Sequence, residues 1–158
     1  MNYYPLNTVS TVKSNILNYV ESSDQWFSSN GFDILKIPNN LLDTTLLKIK
    51  FKFNGSAIVF KMNPNTFYRF HTDERRQCAI NLLLTGLDSN CYYGDQTDNE
   101  EVIENVTELK YESDRYYLLN TRKKHAVRNG NNVRYLLSMG FNNYDYDTVK
   151  KYCQDQKI

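Results

Sequence analysis

Hydrophobic positions recur along this chain at two different periods. Val9, Val12, Ile16 and Val20 are spaced by three or four residues, so residues 8 to 21 carry one apolar stripe of a helix, with Asn7 or Thr8 placed to cap it. From Phe32 onward the texture changes to short apolar or alternating runs: Phe32 to Ile37, Leu46 to Phe53, Ala57 to Met62, Thr66 to Thr72, Cys78 to Leu84 and Cys91 to Tyr93. Turn-forming residues such as Asn54-Gly55, Asn63-Pro64-Asn65 and Thr85-Gly86 bound them. Val102 to Tyr111, Arg115 to Asn120, His125 to Arg128 and Val133 to Phe141 continue the series, and Tyr146 to Gln154 closes the chain with a second helical pattern. Short strands at this spacing predict a mainly β sandwich, barrel or jelly roll, with an N-terminal helix and a short C-terminal helix packed on it. The acidic, aperiodic segment from Asp95 to Glu101 reads as an exposed loop or a mobile lid.

Length and composition narrow this picture. The 158 residues suit one domain spanning 1–158, with a β core over about 32–141, and no linker or repeat divides them. The 13 Tyr and 8 Phe favour half-buried strands over a helical bundle. A formal charge of +1 gives no global field to draw the chain to nucleic acid, and nowhere do 18 apolar residues follow one another, so no membrane partner is expected. The first residues lack the pattern of a secretory signal, which predicts a cytoplasmic protein. Cys78, Cys91 and Cys153 are odd in number and far apart, so they predict reduced thiols, neither disulfides nor a zinc site.

The chain has only two histidines, and their settings carry the candidate chemistry. His71 and Asp73 stand two positions apart on a predicted strand, so their side chains leave one face with Cβ atoms roughly 6–7 Å apart, close enough to share a metal ion. An isolated H-x-D is more often a surface histidine beside a turn aspartate, and the second histidine changes the balance. His125 is followed by Ala126-Val127-Arg128-Asn129-Gly130-Asn131-Asn132-Val133-Arg134. Asn129-Gly130 as the two loop residues of a type I′ hairpin would make His125 and Arg134 direct cross-strand neighbours. With Gly130-Asn131 as the loop, Arg134 would face Val127 instead, still on the His125 face. A cation beside a metal ligand needs an anion. A keto dicarboxylate meets the need, chelating the metal at one end and pairing its far carboxylate with Arg134. Two imidazoles and a carboxylate on one face of an octahedron leave three open positions, the pattern of iron(II) oxygenases.

The ordered set His71-Thr72-Asp73, His125 about fifty residues on, and Arg134 nine beyond it, with the flanks NTFYRFHTDERRQCAINLLL and YLLNTRKKHAVRNGNNVRYLLSMGF, resembles the iron(II)- and 2-oxoglutarate-dependent dioxygenases. The resemblance covers roughly residues 57 to 141. It is nearest to small members similar to the aspartyl/asparaginyl β-hydroxylase branch, with the prolyl hydroxylase branch as rival. It implies a double-stranded β-helix with His71, Asp73 and His125 holding Fe(II). It also implies 2-oxoglutarate as co-substrate and dioxygen as oxidant, with succinate and carbon dioxide formed as a substrate C–H bond is hydroxylated. The carboxylate of Asp73 argues against halogenation, because it leaves no vacant position for halide.

Some members carry Arg-x-Ser at the co-substrate arginine, whereas this chain has Arg134-Tyr135-Leu136, so a second donor to the distal carboxylate must come from elsewhere. Tyr68 is a candidate by analogy, although alternation puts it opposite His71 unless a bulge intervenes. Asn81, polar within the apolar run Ala79 to Leu84, either bonds the co-substrate or satisfies backbone. Arg69, Arg75, Arg76 and Arg122-Lys123-Lys124 predict a basic rim, with Arg76 and Lys124 as candidate substrate contacts if the rim does more than stay solvated. The substrate could be an amino acid, a peptide side chain, a nucleotide or a small metabolite. A cupin-like metal enzyme, or a binding module that does not use 2-oxoglutarate, is the alternative.

Overall fold

The computed structural model describes residues 2–29, 32–99 and 102–158. Among the described residues, eleven strands form two antiparallel sheets. The larger contains β1 (Tyr3–Val9), β2 (Phe27–Ser29), β3 (Phe32–Lys36), β4 (Ser56–Met62), β6 (Cys78–Leu83), β9 (Arg115–Asn120) and β11 (Arg134–Phe141), in the spatial order β1-β9-β6-β11-β4-β3-β2. The smaller runs β5-β10-β7-β8, from β5 (Phe67–His71), β7 (Asn90–Gln96), β8 (Ile103–Leu109) and β10 (His125–Arg128). Helices α1 (Lys13–Ser22), α2 (Thr44–Lys52) and α3 (Tyr146–Asp155) complete the chain. This is the double-stranded β-helix expected, with helices near both ends.

The larger sheet is covered on both faces, and strand alternation decides what each face receives. Along β6, Cys78, Ile80 and Leu82 join Ile16, Val20, Leu46, Ile49 and Val149 of the helices in the main core. The intervening Ala79 and Asn81 point the other way, into a cavity between the sheets. The same phase holds in β11, where Leu137, Met139 and Phe141 enter the core while Arg134, Leu136 and Ser138 line the cavity. A second cluster of Cys91, Tyr93, Leu109, Tyr117 and Leu119 closes the space between the sheets. No helix among the described residues is long and apolar enough to cross a membrane. Cys78, Cys91 and Cys153 are buried free thiols, and burial pushes Cys91 and Cys153 up to about 11 and Cys78 to about 12.

Four local expectations are corrected. The chain begins with strand β1, pairing with β9, so Asn7 and Thr8 lie in a strand. Helix α1 starts only at Lys13, and Val9 is exposed despite its spacing. Leu46 to Phe53 is helical. Leu47 to Phe53 alternates at period two, yet Leu46, Ile49 and Phe53 also keep helical spacing, Asp43 caps the turn by accepting from Leu46 N at 2.8 Å, and Phe51 is left exposed. Asp95 and Gln96 belong to β7; residues 100–101 of the acidic segment lie outside the described residues, and none of its described residues lines the cavity.

The largest correction concerns the hairpin. β10 pairs with β5 and β7, and β11 with β4 and β6, so the two strands lie in different sheets. A type I′ turn needs positive φ at both central residues, and neither Asn129 nor Gly130 has it. Asn129 instead clamps a crossover: its amide donates to the carbonyls of Met62, Asn63 and Asn132 at 3.2, 2.8 and 2.8 Å. Gly130 is needed because Asp88, whose carboxylate accepts from Asn131 N at 2.7 Å, occupies the place of a side chain there.

Candidate metal and anion site

His71 ends β5 and His125 begins β10, and the two stand directly opposite one another in the antiparallel register. Their ring centroids are 4.2 Å apart. Asp73 lies just beyond the strand that was expected to carry it, in a loop whose backbone is fixed by Asp73 N donating to Thr121 O at 2.9 Å. Its Oδ1 comes within 3.6 Å of His71 Nε2 and 3.9 Å of His125 Nε2, and one ligand atom from each residue falls within 4.8 Å of the others.

The outer contacts select the ligand atoms. His71 Nδ1 lies 2.8 Å from Arg69 O and His125 Nδ1 lies 2.9 Å from Lys123 O. A carbonyl can only accept, so each Nδ1 carries the proton and a neutral ring turns its Nε2 lone pair inward. Arg76 holds the other carboxylate oxygen of Asp73, with Nε and Nη2 at 2.8 and 2.7 Å from Oδ2. The donor set therefore offers two imidazole nitrogens and one carboxylate oxygen, which suits a divalent transition metal.

The charges agree. Burial opposes ionisation of Asp73, but His71, Arg76 and His125 outweigh it and hold the carboxyl below its ordinary value. Burial, followed by the proximity of His71, lowers His125 from 6.5 to about 4. At neutral pH the His125–Asp73 contact is thus a neutral imidazole beside a carboxylate, not an ion pair. A depressed histidine also predicts acid sensitivity of the metal-free protein. Below about 6.5 the unfolded chain takes up a proton that the folded one refuses, so stability falls with pH down to about 4. The loss at pH 5 is expected to be about 2 kcal/mol. Urea midpoints at pH 7.5 and 5.0 measure it, and His125→Gln should flatten the difference; a wild-type midpoint unmoved by pH contradicts the assignment.

The cavity around these groups has a volume of about 880 Å³ and is lined from both sheets. At its sheet-enclosed side Arg134 is only 3% exposed, and no carboxylate among the described residues lies within ion-pair distance of it. Its Nε donates to Ser89 Oγ at 3.0 Å, and the guanidinium carbon is 5.9 Å from the Tyr111 ring centre. Arg134 thus shares the cavity with the histidines, although its strand partner is Met62 and not His125. A buried guanidinium without an acid is costly unless an anion joins it. Asn81 lines the same region, with Nδ2 3.4 Å from the Tyr111 hydroxyl and an Oδ1 that has no hydrogen-bond partner among the described residues. Burial raises the Tyr111 phenol, which keeps its proton available for donation.

Other expected residues divide. Tyr68 lines the cavity and packs edge-on against His71 at 4.3 Å, because two residues of β5, Arg69 and Phe70, stand against the single Ala126 of β10 between the pairs His71–His125 and Tyr68–Val127. That bulge reverses simple alternation. Arg76 and Arg75 line the cavity, whereas Arg69 is exposed outside it. Lys124 is not in the lining: the residue before His125 in the alternation turns to the other side. Arg122 spends its guanidinium on the carbonyls of Asp73 and Glu74, at 2.7 and 3.1 Å. Ser89, Tyr111, Thr121 and Ser138 were not singled out from the sequence, since isolated Ser, Thr and Tyr residues carry no spacing signal.

No family model and no curated protein matches the chain. Solved structures do match in fold. A prolyl-4-hydroxylase from Pseudomonas putida aligns with a TM-score of 0.62 at 12% identity, over 90% of this chain and 93% of that one. A prolyl hydroxylase from Trichoplax adhaerens, solved with a hypoxia inducible factor oxygen degradation domain peptide fragment, gives 0.63 at 13% identity, over 96% and 86%. HygX from Streptomyces hygroscopicus, solved with nickel and 2-oxoglutarate bound, gives 0.60 at 9% identity, over 89% and 81%. At these identities the likeness is one of fold.

Proposed function

We propose that this protein is an iron(II)- and 2-oxoglutarate-dependent dioxygenase that hydroxylates a C–H bond of its substrate. The observation that carries the reading is the combination, in one cavity, of His71, Asp73 and His125 with the buried, acid-free guanidinium of Arg134. A metal alone would leave Arg134 without a counter-charge; a keto dicarboxylate answers both ends. When bound, iron(II) would supply the oxidising chemistry with dioxygen as the oxidant, one oxygen atom going to 2-oxoglutarate as it becomes succinate and carbon dioxide and the other to the substrate.

The protein's part is placement. His71 and His125 present Nε2 because the backbone carbonyls of Arg69 and Lys123 hold their Nδ1 protons. Arg134, steadied by Ser89, takes the distal carboxylate, and the Tyr111 hydroxyl is the second donor that Arg-x-Ser would otherwise provide. Asn81 Nδ2 donates to the Tyr111 oxygen at 3.4 Å, which leaves the single phenolic proton of Tyr111 for the carboxylate. Tyr68, Phe32 and Phe60 form an edge-to-face aromatic wall beside His71, with ring centroids 4.6 and 5.4 Å apart, and shape the substrate's approach. The fold shared with solved prolyl hydroxylases and with HygX supports the dioxygenase reading. Amino acids, peptide side chains, nucleotides and small metabolites all remain within the proposed substrate range.

Adding 2-oxoglutarate to the anaerobic iron(II) protein is expected to produce a weak visible charge-transfer band, and admitting air should then form succinate slowly without added substrate. Metal binding with no band would favour a cupin-like enzyme that does not use 2-oxoglutarate, and a band without succinate would leave a binding module.

A further inference from the structure

We propose that Arg76 is a positioning residue that restricts Asp73 to a single donor oxygen, so that the metal keeps three exchangeable positions. The inference rests on the metal site proposed above. Two nitrogens of Arg76 converge on Oδ2 of Asp73, while Oδ1 is the oxygen facing both imidazoles. A carboxylate held in this way cannot turn both oxygens to one ion without giving up two charge-assisted hydrogen bonds.

The guanidinium is itself held from several directions. Its third nitrogen, Nη1, donates to Ser138 Oγ at 3.0 Å from β11. Its plane lies against Phe60, with the guanidinium carbon 5.3 Å from the ring centre. The Arg76 carbonyl accepts from Thr121 Oγ1 at 2.8 Å, anchoring the loop that carries it. Gly140, two residues beyond Ser138 and so on the same face of β11, leaves the space for its stem: an added Cβ there would come within 2.6 Å of Arg76 Cδ and 3.2 Å of Cγ. The spacing Ser138-x-Gly140 therefore makes a seat for one arginine, a hydroxyl for its head and an empty position for its stem.

The consequence is a coordination count. Three protein donors in an octahedron leave three positions, and a chelating keto acid occupies two of them. An Asp73 that bound through both oxygens would consume the last. Arg76 thus protects the remaining open position, and its guanidinium is engaged inside the protein although its side chain also lines the cavity.

Water-proton relaxation enhancement by bound manganese(II) counts exchangeable positions without any turnover. Wild type with one manganese per chain, measured by electron paramagnetic resonance of the free ion, should show the relaxivity of three positions, and Arg76→Gln a value about one-third lower. Arg76→Lys, which keeps a cation beside Oδ2, should restore most of the difference. If Arg76→Gln does not fold, Gly140→Ala, whose methyl displaces the Arg76 stem, carries the same expected drop. Unchanged relaxivity at full occupancy in the folded variant, or a lysine variant no better than glutamine, overturns the proposal. A wild-type protein that binds no manganese would instead sink the metal-site reading, a distinguishable result.

Discussion

Arg134→Ala is expected to lower 2-oxoglutarate affinity by about 100- to 1000-fold, a loss of about 3–4 kcal/mol, while metal binding stays intact. The size follows from burial. Arg134 is 3% exposed, so a carboxylate paired with it is largely removed from water, and truncating one partner of such a pair leaves the other charge stranded. The main loss should be in dissociation rate, since the interaction forms only after the co-substrate has entered. Arg134→Lys keeps the charge but not the planar fork held by Ser89 and stacked near Tyr111, and an intermediate loss of about tenfold is expected. The charge-transfer band, titrated anaerobically in each variant, gives the affinities directly. Binding at wild-type strength in Arg134→Ala would place the distal carboxylate elsewhere and reduce Arg134 to a structural cation.

The sequence made Asp73 and the two histidines legible because scarcity and spacing acted together: only two histidines exist, and one stands two positions from an aspartate. Arg134 lines the same cavity as the histidines, but not as the cross-strand neighbour of His125 that the Asn129-Gly130 turn predicts. The hairpin that would have set it opposite His125 does not form, and the crossover at Asn129 carries the chain from the small sheet to the large one. Arg134 arrives from the facing sheet, and local turn chemistry cannot report such a long-range placement. The same limit explains α2, where Leu47 to Phe53 alternates like a strand and the Asp43 cap, with packing of Leu46 and Ile49, decides for helix. Tyr68 turned on one bulge, a change of a single residue in register that reverses a side chain's face. Arg76 looked like part of a basic rim because a charge run shows its sign but not its partner, and Ser138 lies 62 residues away in the chain.

Asp73 has two partners of different kinds, and its removal should separate two properties. In Asp73→Ala the metal loses its only anionic ligand, and two neutral imidazoles should hold iron(II) more than 100-fold less tightly, beyond the 10- to 100-fold typical of losing an outer-sphere contact. The metal-free protein should also lose about 2 kcal/mol of stability, because Arg76, whose side chain is 27% exposed, keeps its charge in a partly enclosed place without the carboxylate. Asp73→Asn retains an oxygen facing His71 and His125 but cannot match the charge of Arg76, so both effects should be smaller. The double variant Asp73→Ala/Arg76→Met is decisive. With the stranded cation gone, urea stability should return most of the way, whereas metal affinity, measured by competition with a chromogenic chelator, should stay low. If the second substitution restored metal binding as well, Asp73 would matter through its pairing with Arg76 and not as a ligand. If stability stayed low in the double variant, the missing stabilisation would lie in the hold of Arg76 on Ser138 and Phe60, which methionine does not replace, and not in balancing charge.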